Sequence, residues 1–246
     1  MLTFSRYSTK TDGMNGILKF VEWWFFMLST KLKSIYHFAP VTFTFALMSV
    51  FAFILSVVTF GWTNRLLFSV YRSSWVNPLT YLRLFLHSVG HSNLGHLLAN
   101  FGLFIIILGV LMERRYGSKV LFVMMAVTSL VTGLFHIIFR PATHSLLGAS
   151  GIVFMLIFLA AYTYLNKLRW GRWPLGLIVI AVIYFGREFL GWGGQLIGLN
   201  PSNVSHTTHI IGGLCGLALG AIMQKLEGNH VLQNHLDDDE QSVQVS

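Results

Sequence analysis

The sequence predicts an all-α membrane protein, a bundle of six transmembrane helices, and three observations carry that prediction. Among 246 residues, 54% are hydrophobic and only 11% charged, whereas a soluble domain carries about 25% charged residues. Six apolar runs reach or approach the roughly 20 residues that a helix needs to cross a bilayer. The polar side chains that interrupt these runs are not scattered: histidines, an asparagine and a serine gather at matching ends of three of them.

Residues 1–40 form a cytoplasmic segment without the apolar core and small-residue cleavage site of a signal peptide. Ile17 to Leu28 is too short to span and is broken by Lys19 and Glu22. With Trp23, Trp24, Phe25 and Phe26 it reads as an amphipathic helix in the membrane interface. The membrane domain occupies residues 41–224, with spans at Val41 to Trp62, Leu94 to Met112, Val120 to Phe139, Gly148 to Leu165, Pro174 to Leu190 and His206 to Met223. The first long loop, Thr63 to Gly90, carries Trp75, Tyr81, Leu82, Leu84, Phe85 and Leu86, so part of it is expected to lie in the outer leaflet. Residues 225–246 include the run Asp237 to Glu240 and read as an acidic, disordered cytoplasmic tail.

An even number of spans leaves both ends on one side. Twelve of the 17 Lys and Arg residues fall on the side of the N-terminus, and Arg65, Arg72, Arg83, Arg140 and Arg187 on the other. Basic residues are retained in the cytoplasm, so both termini are expected there. The net charge of +8 is thus a topology signal, and no nucleic-acid partner is expected. A bare six-span plan favours a bacterial inner (plasma) membrane. The single cysteine, Cys215, excludes an internal disulfide framework and a multi-cysteine metal site.

Spans two, four and six run in the same direction, so their first turns share one leaflet. His91, His96 and Asn100 lie at the second, Ser150 at the fourth, His206 and His209 at the sixth. Ionisable side chains at membrane depth are costly and mark functional sites. Ser150 stands between Gly148 and Gly151 on one helical turn, where small neighbours leave its hydroxyl approachable and the helix start supplies unpaired N–H groups.

His209 is followed by Gly212, Gly216 and Gly220 along one helical stripe, which lets a neighbouring helix approach closely. If that neighbour is the fourth span, His209 reaches Ser150 as its base. His206, three residues earlier, is a rival base nearer the mouth, and His144 a poorer one. His96 and Asn100 share a face and with the Ser150 N–H suit an oxyanion hole, while His91 points elsewhere and braces a loop. A metal reading is disfavoured by spacing: His91 and His96 are not four apart, and His206 and His209 have no accompanying glutamate on their helix.

The run His91-Ser-Asn-Leu-Gly-His96-Leu-Leu-Ala-Asn100, then Gly109-xxx-Glu113-xxx-Gly117, the Gly148-Ala149-Ser150-Gly151 turn, and His209-xx-Gly212-xxx-Gly216 together resemble the rhomboid family of intramembrane serine proteases, over roughly Tyr81 to Met223. The resemblance implies a six-helix bundle with a Ser150–His209 dyad in a water-filled cavity open to the outer face. It implies an oxyanion hole of His96, Asn100 and the Ser150 N–H, structural roles near the site for His91, Arg83, Glu113, Phe154, Gly148, Gly151, Gly212 and Gly216, and no cofactor or metal. Arg83 corresponds to the arginine of the family's Trp-Arg loop signature, and substrates are expected to be transmembrane proteins in the lipid bilayer. The resemblance implies no catalytic carboxylate; only Glu188 lies near the outer end of a span, so a triad acid is possible but not expected.

Three positions depart from the family pattern. Leu82 replaces the tryptophan of the loop signature, Phe154 a tyrosine that packs on the catalytic histidine, and Phe158 a glycine facing the sixth helix, where a wider or shifted helix contact is expected. Two competing readings are a non-catalytic rhomboid-like binder of transmembrane helices and a channel or transporter. Intact Ser150 and His209 weigh against the first, and the scarcity of charges within the spans against the second.

Overall fold

The computed structural model describes residues 37–165, 173–196 and 205–244, which are helical with short connections. The expected interfacial helix, Ile17 to Leu28, lies outside the described residues. Helix α1 spans Pro40–Val58 and α2 spans Pro78–Leu86. Then come α3, Leu94–Tyr116, α4, Ser118–Phe139, α5, Ser150–Leu165, α6, Trp173–Leu196, and α7, His206–Gln244. Four helices are long and apolar enough to cross a membrane, namely α1, α3, α4 and the His206–Asn229 part of α7, while Ser150–Tyr164 is a shorter apolar helix.

α5 is the centre of the bundle. Every residue from Gly151 to Ala161 is buried, which explains why this segment is apolar around its whole circumference. Its 16 residues make a rod about 24 Å long, shorter than the ~30 Å hydrocarbon layer. The outer helices keep apolar side chains exposed, as membrane-facing surfaces do: Phe51 and Val58 on α1, Phe122 on α4, Val182 and Leu190 on α6.

Helix ends explain several marked residues. α1 stops earlier than the expected Trp62, because Phe60 and Gly61 adopt positive φ (51° and 82°) and the Gly61 N–H turns back to Ser56 O at 2.7 Å, a helix-ending bond. At the other end of α1 the Val41 and Thr42 N–H groups and the Thr42 hydroxyl donate to the Glu113 carboxylate at 2.8, 2.9 and 2.7 Å. Gly109, one turn before, makes room: a Cβ there would stand 2.7 Å from Thr42 Cγ2.

Glu113 therefore caps α1. It lies 13 residues along α3 from Asn100, several turns away, and its carboxylate is engaged by Val41 and Thr42, so the expectation that it sits near the site is corrected. The tail differs as well: where the sequence suggests disorder, α7 continues as helix to Gln244. Glu227 pairs there with Arg115 at 2.7 Å, which ties the extension to the end of α3.

The first loop carries an amphipathic helix. On α2, Thr80, Arg83 and Leu84 face inward while Tyr81, Leu82 and Phe85 stay exposed. Leu82 thus has its apolar side chain on the outer face of the loop helix. The connection into α5 is held by a two-way backbone pair between Val70 and Leu146 at 2.9 Å, and by Gly148 N–H donating to His87 O at 2.8 Å.

Candidate active site

Three helix starts meet around Ser150. α3 begins at Asn93, whose side-chain oxygen accepts the His96 N–H at 2.8 Å, an N-cap that fixes the first turn. Behind it, the buried His91 ring donates Nδ1–H to Val89 O at 3.1 Å. Its Nε2 consequently carries no proton and accepts from the Asn100 amide at 3.1 Å. Burial first, and then the nearby His96, push the His91 pKa down to about 4, against the opposing pull of Val89 O. The ring is neutral at pH 7, as this acceptor role requires. His91 orients Asn100.

The second start is that of α5. Gly148 has φ +131°, and a Cβ on it would lie 2.7 Å from His96 Cε1, 2.8 Å from His96 Nε2 and 3.9 Å from Asn100 Nδ2. Only glycine takes this φ and lets the His96 ring stand over this backbone, two residues before Ser150, with the Asn100 amide in contact range. The N–H groups of this first turn have no partner within the helix.

The third start is that of α7. A Cβ on Gly212 would lie 2.2 Å from Gly151 O, and one on Gly216 2.3 Å from Met155 O, so the glycine stripe puts the α7 backbone directly on α5. Phe158, expected to widen this contact, does not. Its ring lies over Gly213, where a Cβ would stand 3.0 Å from Phe158 Cδ2, and that glycine, next to the stripe, accepts the aromatic ring.

His209 sits one turn above Gly212. Its ring is stacked on Phe154, with centroids 4.5 Å apart and planes at 7°, and Tyr184 of α6 meets the same phenyl edge-on at 5.8 Å. Phe154 follows Ser150 by one helical turn on the same face. His209 and His96 are also near enough to interact electrostatically. Among the described residues no hydrogen bond joins Ser150 Oγ to the His209 ring; catalytic hydrogen bonds are often long before substrate arrives.

A carboxylate completes the cluster, and the sequence did not lead to it. Glu188 of α6 is buried, and its Oε2 receives His209 Nδ1 at 2.8 Å and His206 Nδ1 at 2.5 Å. His206 turns away from α5 toward α6, where a Cβ on Gly191 would stand 2.5 Å from its Cε1. His144 is exposed, and its carbonyl accepts from His136. Arg83 belongs to the loop: its Nε donates to Leu66 O at 2.8 Å, and its guanidinium lies 4.6 Å from the centre of the Tyr71 ring.

Glu188, His206 and His209 are a His₂Glu set whose ligand atoms lie within 4.8 Å of one another. The histidines' own helix carries no accompanying glutamate, but α6 supplies one. The separations of 2.5 and 2.8 Å are those of N–H···O bonds, whereas ligand atoms around tetrahedral zinc stand about 3.3 Å apart. As built, the trio is a hydrogen-bonded unit.

A family model described as "Rhomboid domain" matches residues 78–226. The chain belongs to the rhomboid family. No curated protein matches it. The matched stretch runs from α2 into α7 and contains all three helix starts described above. With its apolar helices, this rhomboid is an integral membrane protein. A cleft of 680 Å³ opens beside its site, lined among others by Ser92, Asn64, Arg65, His144 and Leu147. Ser92 Oγ also contacts His96 Nδ1 at 3.2 Å.

Proposed function

We propose that this rhomboid is an intramembrane serine endopeptidase that hydrolyses a peptide bond in or near a transmembrane segment of another membrane protein. The observation that carries the reading is the His209 imidazole, stacked on Phe154 one turn beyond Ser150 and engaged at Nδ1 by a carboxylate. That leaves Nε2 as the nitrogen able to accept a proton.

Ser150 Oγ attacks the scissile carbonyl carbon while its proton passes to His209 Nε2. The developing oxyanion is met by the Asn100 amide, the His96 ring and the Ser150 N–H. On collapse the C–N bond breaks, the proton moves from His209 to the leaving amine, and an acyl-enzyme remains. Water then adds to that ester with His209 again accepting and returning the proton. Carbonyls inside a substrate helix are tied up in backbone hydrogen bonds, so the substrate segment unwinds first, which favours spans with Gly, Pro or polar residues.

On this reading α1, α3, α4, α5, α6 and α7 are six crossings with both termini in the cytoplasm, in a bacterial plasma membrane. The site opens to the outer face through the cleft beside Ser92. The competing reading, a non-catalytic binder of transmembrane helices, draws on the missing Ser150–His209 hydrogen bond. A fluorophosphonate probe decides between them. Covalent labelling of the purified protein at Ser150, abolished by His209→Ala, is expected of the protease, and no labelling is expected of the binder.

A further inference from the structure

We propose that Glu188 is a positioning residue for His209, so that this rhomboid works with a Ser-His-Glu triad rather than a dyad; this rests on the protease reading above. A carboxylate 3% exposed is expensive to bury unless its charge is compensated. Here one oxygen, Oε2, takes N–H bonds from two imidazoles, at 2.8 Å from His209 and 2.5 Å from His206. A carboxylate only accepts, so both rings carry their proton on Nδ1.

For His209 this fixes two things at once. The tautomer places the lone pair on Nε2, across the ring from Glu188. The Phe154 stack sets the ring plane. Edge and face are thus held by different helices, α6 and α5, while the imidazole itself is carried by α7.

When Ser150 gives up its proton the ring becomes an imidazolium, and the carboxylate already in contact compensates the new charge. In serine proteases with a buried carboxylate behind the histidine, loss of that group costs turnover on the order of 10⁴-fold. His206 serves the carboxylate rather than the substrate. Its ring is wedged against Gly191, and its Nδ1–H holds Oε2 in place. The groups facing His209 are Glu188 from α6, His206 from its own helix, His96 from α3 and the Phe154 ring from α5.

The test uses the full chain reconstituted with a model transmembrane substrate. Glu188→Gln keeps the volume and one accepting oxygen, removes the charge and replaces the second oxygen by a donating NH₂. The expected result is a fall in kcat of about 10²-fold or more, KM within about twofold, and an unchanged melting temperature. Glu188→Asp is expected to recover at least tenfold over the Gln variant.

A group that merely packs would be replaced by Gln without loss, so wild-type kcat in a folded Glu188→Gln overturns the proposal. If the variants do not fold, ¹⁵N spectra of the histidine-labelled wild type still decide: His209 protonated at Nδ1 is expected, and protonation at Nε2 overturns the assignment. Ser150→Ala run alongside separates the two levels. Cleavage surviving in that variant removes the protease reading itself, whereas an inactive Ser150→Ala beside a fully active Glu188→Gln removes only the triad.

Discussion

The Phe154 ring lies parallel to the His209 imidazole, 4.5 Å between centroids and 7° between planes. The phenyl is buried and also meets Tyr184 edge-on, so it is a packed floor for the base rather than a loose neighbour. An aromatic pair of this kind contributes about 0.5–1.5 kcal/mol beyond area burial. Phe154→Leu is therefore expected to lower kcat about 2–10-fold with KM nearly unchanged. Phe154→Tyr, which preserves the stack, should remain within about twofold of wild type. Steady-state kinetics on the two variants checks this, and equal activity in both would show that the floor is dispensable.

Asn100 donates one amide hydrogen to His91 Nε2, which leaves a second to donate. Loss of one oxyanion donor costs about 3 kcal/mol of transition-state stabilisation. Asn100→Ala should lose on the order of 10²-fold in kcat while melting near the wild-type temperature. Turnover at the wild-type rate would remove the residue from the oxyanion hole.

Part of the helix packing around the candidate site was legible from spacing. Ser150, His209 and the glycines at Gly212 and Gly216 stand on helical stripes, and a stripe is a geometric statement that one sequence makes by itself. So are His96 and Asn100, four residues apart. Glu188 was not legible as a partner, because it meets His209 across 21 residues and through a different helix; a carboxylate near a span's outer end gives no direction. Glu113 misled for a related reason. Its partners are the N–H groups at the start of α1, more than 70 residues earlier, so its motif spacing reports a helix cap and not the site. The tail was read from composition as disordered, but a helix already in register continues past the membrane domain, where the Arg115–Glu227 pair supports its first turns.

The α5–α7 contact leaves no room for a methyl group. At Gly212 a Cβ would meet Gly151 O at 2.2 Å, and a backbone oxygen cannot rotate aside. Gly212→Ala should cost about 1–3 kcal/mol and reduce activity more than stability, since it moves the Ser150 helix against the His209 helix. Gly176→Ala, with nothing within 4 Å, is the matched control and should be neutral in both. Melting curves and kinetics on the pair check it; a neutral Gly212→Ala would mean that the helices are not in backbone contact there.

His87 and His91, in the segment between α2 and α3, are buried, and burial lowers both pKa values to about 4 from the ordinary 6.5. Between those values the unfolded chain binds protons that the folded one excludes, so stability rises with pH across this window. Stability is fully present above pH 6.5 and is lost as pH falls toward 4. Denaturation of the purified protein followed across that range should show this slope, and it should be shallower in His87→Gln. A slope unchanged in that variant would assign the loss to other groups.

The most direct measurement is cleavage of a model transmembrane substrate by the reconstituted wild type beside Ser150→Ala and His209→Ala. The expected result is a single cut within or just outside the substrate's span by the wild type, with both variants folded and inactive. Cleavage retained by Ser150→Ala would contradict the assignment of Ser150 as the nucleophile.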